Sequence, residues 1–453
     1  MATQSQKPRL VPLYFPSRDA DFDRQINTLR DLLATNAEIL PPVALGAPLP
    51  AAEAVVFPQM LGDAYRMLAD FKRLTLPILV ITSEFGTVSM WDWEICTYLR
   101  SAGVETIAPN SLDLTRIACK NLQVQRDLRN AKFLVFQDNP GEGFQPEIFK
   151  RFYWWEPECI QRMQAKFGFT VVKKSFRELA ATAKSIPDAE ADDAWTAHQD
   201  RLALVGGERK RSHTTRALRS ALKLYLAVKR EVEQDLAIRA VGINCLNESH
   251  FSDTTPCLAW ELLHEEIDLT WGCEADLVSM LTMHLLHQAL GTTELRSAIM
   301  MTNLYPFSMG PAALKHEHIP EFPDTDAPEN HLLLAHCGYL GVLPRRYATE
   351  WALREKVLAI VDDNATAIDA RLPVGDLTLA KLLPTFDQLS VVEANLEGYV
   401  QYPGSHCLNG AVVRVPDGPR LLETLTSHHY ALAVGHHRAA IEILAKIFKL
   451  EIL

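Results

Sequence analysis

Three short segments of this chain carry side chains suited to one shared reaction centre. The first is CEAD, with Glu274 and Asp276 two residues apart. An apolar run from Leu269 to Cys273 precedes them and reads as a strand. A helical pattern from Leu277 to Leu290 follows, with Gly291 placed as its C-terminal cap. Open α/β sheets put their ligands at the carboxyl ends of strands, which is where these carboxylates stand. Asp276 occupies an N-cap position, and capping accounts for it. Glu274 has no such role, and a carboxylate at an apolar strand-to-helix junction needs a partner or a metal. The second segment, HLLLAHCGYLGVLP from His331 to Pro344, puts His336 directly after an apolar strand. The ordinary reading of that histidine is a satisfied structural one. The third segment, from Ser427, holds His428, His429, His436 and His437. Strand alternation buries His429 if His428 faces out. Gly435 makes a turn, and His436 and His437 open a helix.

A glutamate and two histidines from separate segments suit one borderline divalent ion, Mn²⁺, Zn²⁺ or Fe²⁺. Such an ion can hold two adjacent substrate oxygens and polarise a carbonyl. A nearby carboxylate can then carry a proton between the two carbons. That is aldose–ketose isomerisation through an enediol. No phosphate-binding G-x-x-x-x-G-K-[ST] loop, H-E-x-x-H zinc helix or G-x-S-x-G elbow occurs. Gly206-Gly207, beside a basic stretch from Glu208 to Arg219, reads as a turn before a solvated helix face.

The elements that must position these residues alternate in type. Apolar runs at Ala54–Phe57, Leu76–Thr82, Val104–Ile107, Phe133–Phe136, Phe169–Val172 and Ile238–Ile243 read as strands. Helical spacing covers Leu61–Leu74, Trp91–Ala102 before Gly103, Phe176–Lys184 and the stretch from Thr215. The acidic segment Lys184–Asp200 reads as a surface loop or a helix start. Strands alternating with helices mean parallel sheets with crossover helices. After about residue 305 prolines cluster, and short β-like runs appear at His331–Ala335, Val412–Val415 and Ala431–Val434. A helix from Arg438 to Phe448 follows. The expected fold is two doubly wound α/β domains, 1–168 and 169–305, and a β-rich domain, 306–453. At 453 residues, about three domains is also the expectation from length.

Composition narrows the partners. With 48% hydrophobic and 22% charged residues the chain has a globular balance, not a disordered one. A net charge of −11 argues against general nucleic-acid binding, which needs clustered positive charge. It also gives no polybasic attraction to anionic membranes. No apolar run approaches the roughly 18 residues that span a bilayer, and MATQSQKPRL lacks the apolar core of a signal peptide. The expectation is a cytoplasmic protein. Its eight scattered cysteines, none in a C-x-x-C pair, read as free and mostly buried thiols.

At these residues the sequence resembles the L-fucose isomerase and L-arabinose isomerase superfamily. The resemblance lies in CEAD with LVSMLTMHLLHQALG, in NHLLLAHCG from Asn330 to Gly338, and in HHYALAVGHH with the closing helix and KLEI. It covers most of residues 240–453 and is architectural over 1–240. It implies Mn²⁺ or a similar ion, a sugar substrate, and a homo-oligomer, trimer or hexamer. The active site would lie between the second and third domains, closed by a neighbour's first domain. Residue by residue, it implies Glu274 as metal-binding and catalytic, with Asp276 as a second carboxylate. It implies His429 as a metal ligand and His336 as an active-site histidine that binds metal or substrate. Trp91 and Trp93 would stack on the sugar, with core or interface packing as the competing reading. One departure stands out. The family's second metal-binding aspartate has no counterpart, because no Asp or Glu occurs from Ser297 to Phe307. Thr302 or Asn303 takes its place, and Asp276 or Glu317 is a candidate substitute. The resulting expectation is a metal-dependent aldose–ketose isomerase. The alternatives are a non-catalytic sugar-binding protein on the same scaffold and a different metal-assisted carbohydrate enzyme.

Overall fold

The computed structural model describes residues 6–16, 18, 20–58, 63–81, 90–138, 147, 150–200, 215–290, 299–310, 321–336, 340–355, 365–402 and 409–453. They fall into two compact units. One comprises Met1–Arg129, Gln288–Leu295 and Ala439–Ile452. The other comprises Asn130–His287 and Arg296–Arg438, with Leu453.

The first unit is built on a parallel sheet. Its strands run in the order Glu38–Ile39, Arg9–Tyr14, Ala54–Phe57, Ile78–Val80, Thr106–Ile107, with Val43–Ala44 also pairing Arg9–Tyr14. The apolar runs AVVF and ILV are buried along their whole length, as strands covered on both faces must be. Val11, Val55, Phe57, Phe71, Val80 and Leu99 form the core. Ser111 caps the helix Leu112–Leu128 by accepting from the Leu114 N–H. Gly103 follows the helix Met90–Ser101 at φ 82, the left-handed conformation of a helix terminator. Among the described residues of the Leu61–Leu74 spacing, the α-helix is Leu68–Arg73. Met67, at φ −109 and ψ 24, separates it from the short turn Asp63–Tyr65. The helix Arg438–Phe448 joins this unit, where the Gln125 amide donates to the Ile447 carbonyl at 2.9 Å.

The second unit holds a parallel sheet and an antiparallel barrel-like sheet. The parallel strands lie in the order Thr270–Gly272, Ile238–Ile243, Lys132–Phe136, Thr170–Lys174. Lys132–Phe136 comes before residue 168, so this sheet draws on both sides of that boundary. The order reverses between Lys132–Phe136 and Ile238–Ile243, the kind of switch point at which open α/β sheets take ligands. Helices Phe176–Ser185, Asp188–His198, Arg216–Glu233 and Cys257–Ile267 belong to the same unit. The acidic segment is thus a helix, and Pro187 stands at its N-cap position.

The antiparallel strands run Gly375–Leu382, His429–Val434, Ile299–Pro306, His331–Ala335, Asn409–Arg414, Gln388–Gln401. Gly375–Leu382 also pairs with Gln388–Gln401, which closes the sheet on itself. The expected combination of parallel α/β sheets with a β-rich C-terminal part is what the chain forms. Among the described residues no helix is long and apolar enough to cross a membrane.

Candidate metal centre

The site begins where the strand Thr270–Gly272 ends. Cys273–Ala275 make a single turn in which Glu274 (φ 52, ψ 22) and Ala275 (φ 50) are both left-handed. For non-glycine residues this costs about 1–2 kcal/mol each, so surrounding contacts must enforce it. The Glu274 carbonyl accepts the indole N–H of Trp155 at 2.9 Å and of Trp154 at 3.3 Å, both from the buried turn Tyr153–Trp155. The Glu274 N–H donates to Cys245 Sγ at 3.4 Å. Two register-paired glycines make room beneath. A Cβ on Gly242 would lie 3.0 Å from Ala275 Cα, and one on Gly272 would lie 2.3 Å from Met280 Cγ. The turn therefore sits directly on the strand ends.

His428 and His429 enter the strand His429–Val434 and alternate as expected. The His429 side chain is 1% exposed and the His428 side chain 30%. Their ring centroids are 4.0 Å apart. His428 Nε2 lies 3.4 Å from Glu274 Oε2, an ion-pair distance without hydrogen-bond geometry, and that buried oxygen has no hydrogen-bond partner. Ligand atoms of Glu274, His428 and His429 lie within 4.8 Å of one another, and so do those of Cys273, His336 and His429.

Asp276 organises the centre from behind. Its Oδ1 accepts the Ser279 N–H at 2.9 Å, the N-cap bond of the helix Leu277–Leu290. Its Oδ2 accepts the Ser279 hydroxyl at 2.8 Å, the Lys381 ammonium at 3.0 Å and His429 Nδ1 at 3.0 Å. Lys381 also donates to the Ser279 hydroxyl oxygen. Burial pushes the Asp276 carboxyl up, but Lys381, His429 and the Ser279 N–H together hold it far below the usual carboxylate range. Burial likewise pushes Lys381 down against the pull of Asp276, and its pKa ends below the ordinary lysine value.

A carboxylate can only accept, so Nδ1 of His429 carries the proton and Nε2 presents its lone pair. Burial, reinforced by His428 and opposed by Glu274 and Asp276, pushes the His429 pKa down to about 4. The imidazole is therefore neutral at neutral pH, the form that binds a metal. Burial raises the Glu274 carboxyl, yet His428 and His429 outweigh it and leave its pKa lowered. A carboxylate and a neutral, pre-oriented imidazole make a donor set that fits a divalent cation.

Of the residues read from the sequence, Glu274, His336 and His429 come together here, with Asp276 behind them. Asn303 stands in register with His429 on one side and Ala335 on the other, so it shares their face of the sheet. Its amide nitrogen donates to the Tyr305 hydroxyl at 3.1 Å, and its buried Oδ1 has no hydrogen-bond partner. Trp91 and Trp93 are exposed, at 62% and 53%, on the helix Met90–Ser101 of the first unit. Gly206, Gly207, Gly291, Glu317, Cys337, Gly338 and part of the basic stretch lie outside the described residues.

Lys381 was not evident from the sequence; its one signal is a lone charge inside the apolar run LTLAKLL. Trp154 and Trp155 carry a weaker signal: two adjacent tryptophans bring two indole N–H donors that need acceptors once buried.

No protein-family model matches the chain, and no curated protein matches it. The class that fold and site define is an α/β protein with a closed antiparallel sheet and a largely buried cluster of Cys273, Glu274, His336, His428 and His429 that could hold a metal ion.

Proposed function

We propose that this protein is a divalent-metal-dependent aldose–ketose isomerase acting on a free sugar. The observation that carries the reading is His429, neutral and held through Nδ1 by Asp276 so that Nε2 keeps its lone pair, in a side chain grouped with Glu274 and His428. Glu274, His428 and His429 would hold the ion, with Asn303, the cross-strand neighbour of His429, as a candidate further neutral ligand. A bound divalent ion supplies Lewis-acid polarisation of adjacent substrate oxygens. Glu274, ionised and without a hydrogen bond on Oε2, is the group placed to move a proton between neighbouring carbons. Asp276 has its oxygens engaged by Ser279, Lys381 and His429, which suits it to positioning His429 and not to proton transfer. His336 would orient substrate hydroxyls or join the ligand set. His428 is the partly exposed member, and the half-buried Phe152 ring, stacked on buried Trp154 (4.3 Å), stands beside it as an apolar surface for a sugar.

The test combines metal analysis with turnover. Wild type should copurify with or take up Mn²⁺ or a related ion, and Glu274→Gln and His429→Ala should not. Aldoses incubated in D₂O with the loaded enzyme should gain deuterium at C2 and yield the ketose. Metal uptake without exchange on any aldose or ketose would overturn the isomerase reading. A second reading, a sugar-binding protein without turnover, is favoured by the absence of any Asp or Glu from Ser297 to Phe307, which leaves the candidate site one carboxylate short. Sugar-dependent thermal stabilisation that persists in the presence of a chelator would support it.

A further inference from the structure

Cys273 plays no part in the reading above, yet its sulfur is grouped with ring nitrogens of His336 and His429, all three residues buried. The three arrive from three elements: the end of Thr270–Gly272, the residue after His331–Ala335, and the first residue of His429–Val434. Cys245 Sγ lies 3.0 Å from Cys273 Sγ, so a second sulfur adjoins this group. The other group of potential ligands consists of Glu274, His428 and, again, His429. The two groups differ in softness: thiolate with imidazole selects zinc-like ions, while carboxylate suits manganese and magnesium.

His429 belongs to both groups. Its Nδ1 is committed to Asp276, so it has a single lone pair to give, and one ion at a time can take it. Tetrahedral zinc with bonds of about 2.0–2.3 Å sets donor atoms about 3.3–3.6 Å apart. Donors already within 4.8 Å of one another need only a small contraction to reach that spacing.

We propose that Cys273, His336 and His429 form a thiolate-containing site for a thiophilic divalent cation such as Zn²⁺. This ion competes for His429 Nε2 with the harder ion held by Glu274 and His428. The inference rests on the metal-centre reading given above. Binding replaces the S–H bond of Cys273 with a sulfur–metal bond and releases the proton to solvent, with no change of oxidation state. A thiophilic ion is then an inhibitor of the manganese-loaded protein and not a substitute activator.

The test is titration of the chelator-stripped full chain with Co²⁺, whose spectrum reports its ligands. Wild type should show thiolate-to-cobalt charge-transfer absorption in the near ultraviolet. Cys273→Ser, and the double change Cys245→Ser with Cys273→Ser, should take up cobalt without that band; the double variant covers substitution by the neighbouring sulfur. His336→Gln removes a second donor independently and should weaken the band. Glu274→Gln should keep it. In competition read by the Mn²⁺ paramagnetic resonance signal, the preference for Zn²⁺ over Mn²⁺ should fall by more than about tenfold in Cys273→Ser. Cobalt uptake by wild type without the band, or a zinc preference unchanged in Cys273→Ser, overturns this inference and leaves the Glu274 centre standing. No uptake of any ion by wild type overturns both.

Discussion

Asp276→Asn isolates what the buried carboxylate does. Asp276 and Lys381 are both fully buried and 3.0 Å apart. At an effective dielectric of about 20, opposite unit charges at that distance attract by about 5.5 kcal/mol. Asparagine keeps an oxygen for the Ser279 N–H, so the cap, worth about 1 kcal/mol, survives. What is lost is the counter-charge to Lys381. The stranded ammonium can escape by giving up its proton, which at pH 7 costs about 1.36 × 3.4, or about 4.6 kcal/mol, from an ordinary lysine pKa near 10.4. That is the ceiling, and it agrees with the 3–5 kcal/mol typical of breaking a buried pair. The sign of the pH effect follows. In the variant the folded-state pKa of Lys381 lies below its unfolded value, so the penalty is largest at low pH and shrinks as pH rises toward 10.4. Between pH 7 and 9 the loss of stability should ease by about 2.7 kcal/mol. The assay is urea unfolding at both pH values for wild type, Asp276→Asn, Lys381→Met and the double variant. The double variant strands no charge and should lie within about 1.5 kcal/mol of wild type. A penalty under about 1 kcal/mol at pH 7, or one that does not change with pH, would refute the view that Lys381 depends on this carboxylate.

Other consequences can be measured in the same way. An Mn²⁺ concentration a hundredfold above its Kd should stabilise wild type by about 2.7 kcal/mol in thermal or urea unfolding, and His429→Ala should lose that increment entirely. Gly242→Ala should cost about 1–3 kcal/mol and weaken metal uptake, because its Cβ would press on the Ala275 backbone at 3.0 Å; unchanged uptake would show that the turn tolerates displacement. Glu266 accepts from Tyr225 at 2.7 Å and Lys229 at 2.9 Å, and His198 stands 3.1 Å away, so it links the helices Asp188–His198, Arg216–Glu233 and Cys257–Ile267. Burial raises its pKa, but these three partners outweigh it and bring it down to about 2 from an ordinary 4.5. Its folded pKa being depressed, its contribution is complete above about pH 4.5 and fades as pH falls toward 2. Glu266→Gln should remove that part of the acid sensitivity, seen as a flatter fall of the urea midpoint between pH 5 and 3.

Much of this fold is legible in the sequence because its signals are local. The helices Leu277–Leu290 and Arg438–Phe448 fall where the 3.6-residue spacing sets them, and the all-apolar runs become strands covered on both faces. Simple alternation places His429 inside and His428 toward solvent. The rest depends on register between distant segments, which no local pattern encodes. Nothing near Lys381 announces that it meets Asp276, because the pairing of Gly375–Leu382 with His429–Val434 delivers it. Likewise Asn303 faces the centre through its register with His429, and Trp154 and Trp155 reach the Glu274 carbonyl from a separate turn. The boundary at 168 overlooks Lys132–Phe136, whose sheet partners all follow that position. A strand reads the same from its own residues whichever sheet receives it.

The strand His429–Val434 lies between Gly375–Leu382 and Ile299–Pro306, both of which precede it in the chain. During synthesis those two strands emerge first and present open edges, each a template for pairing with another molecule. Closing the gap requires contacts far apart in sequence, which are slow to form. The strand that closes it also carries His428 and His429 into place. On the metal-site reading, the pairing that seals the sheet is also the one that brings the candidate ligands together. A captured ion would mark a chain whose vulnerable edges are already covered, and metal supply in the cell would then bear on how much of the newly made protein survives as well as on how active it is.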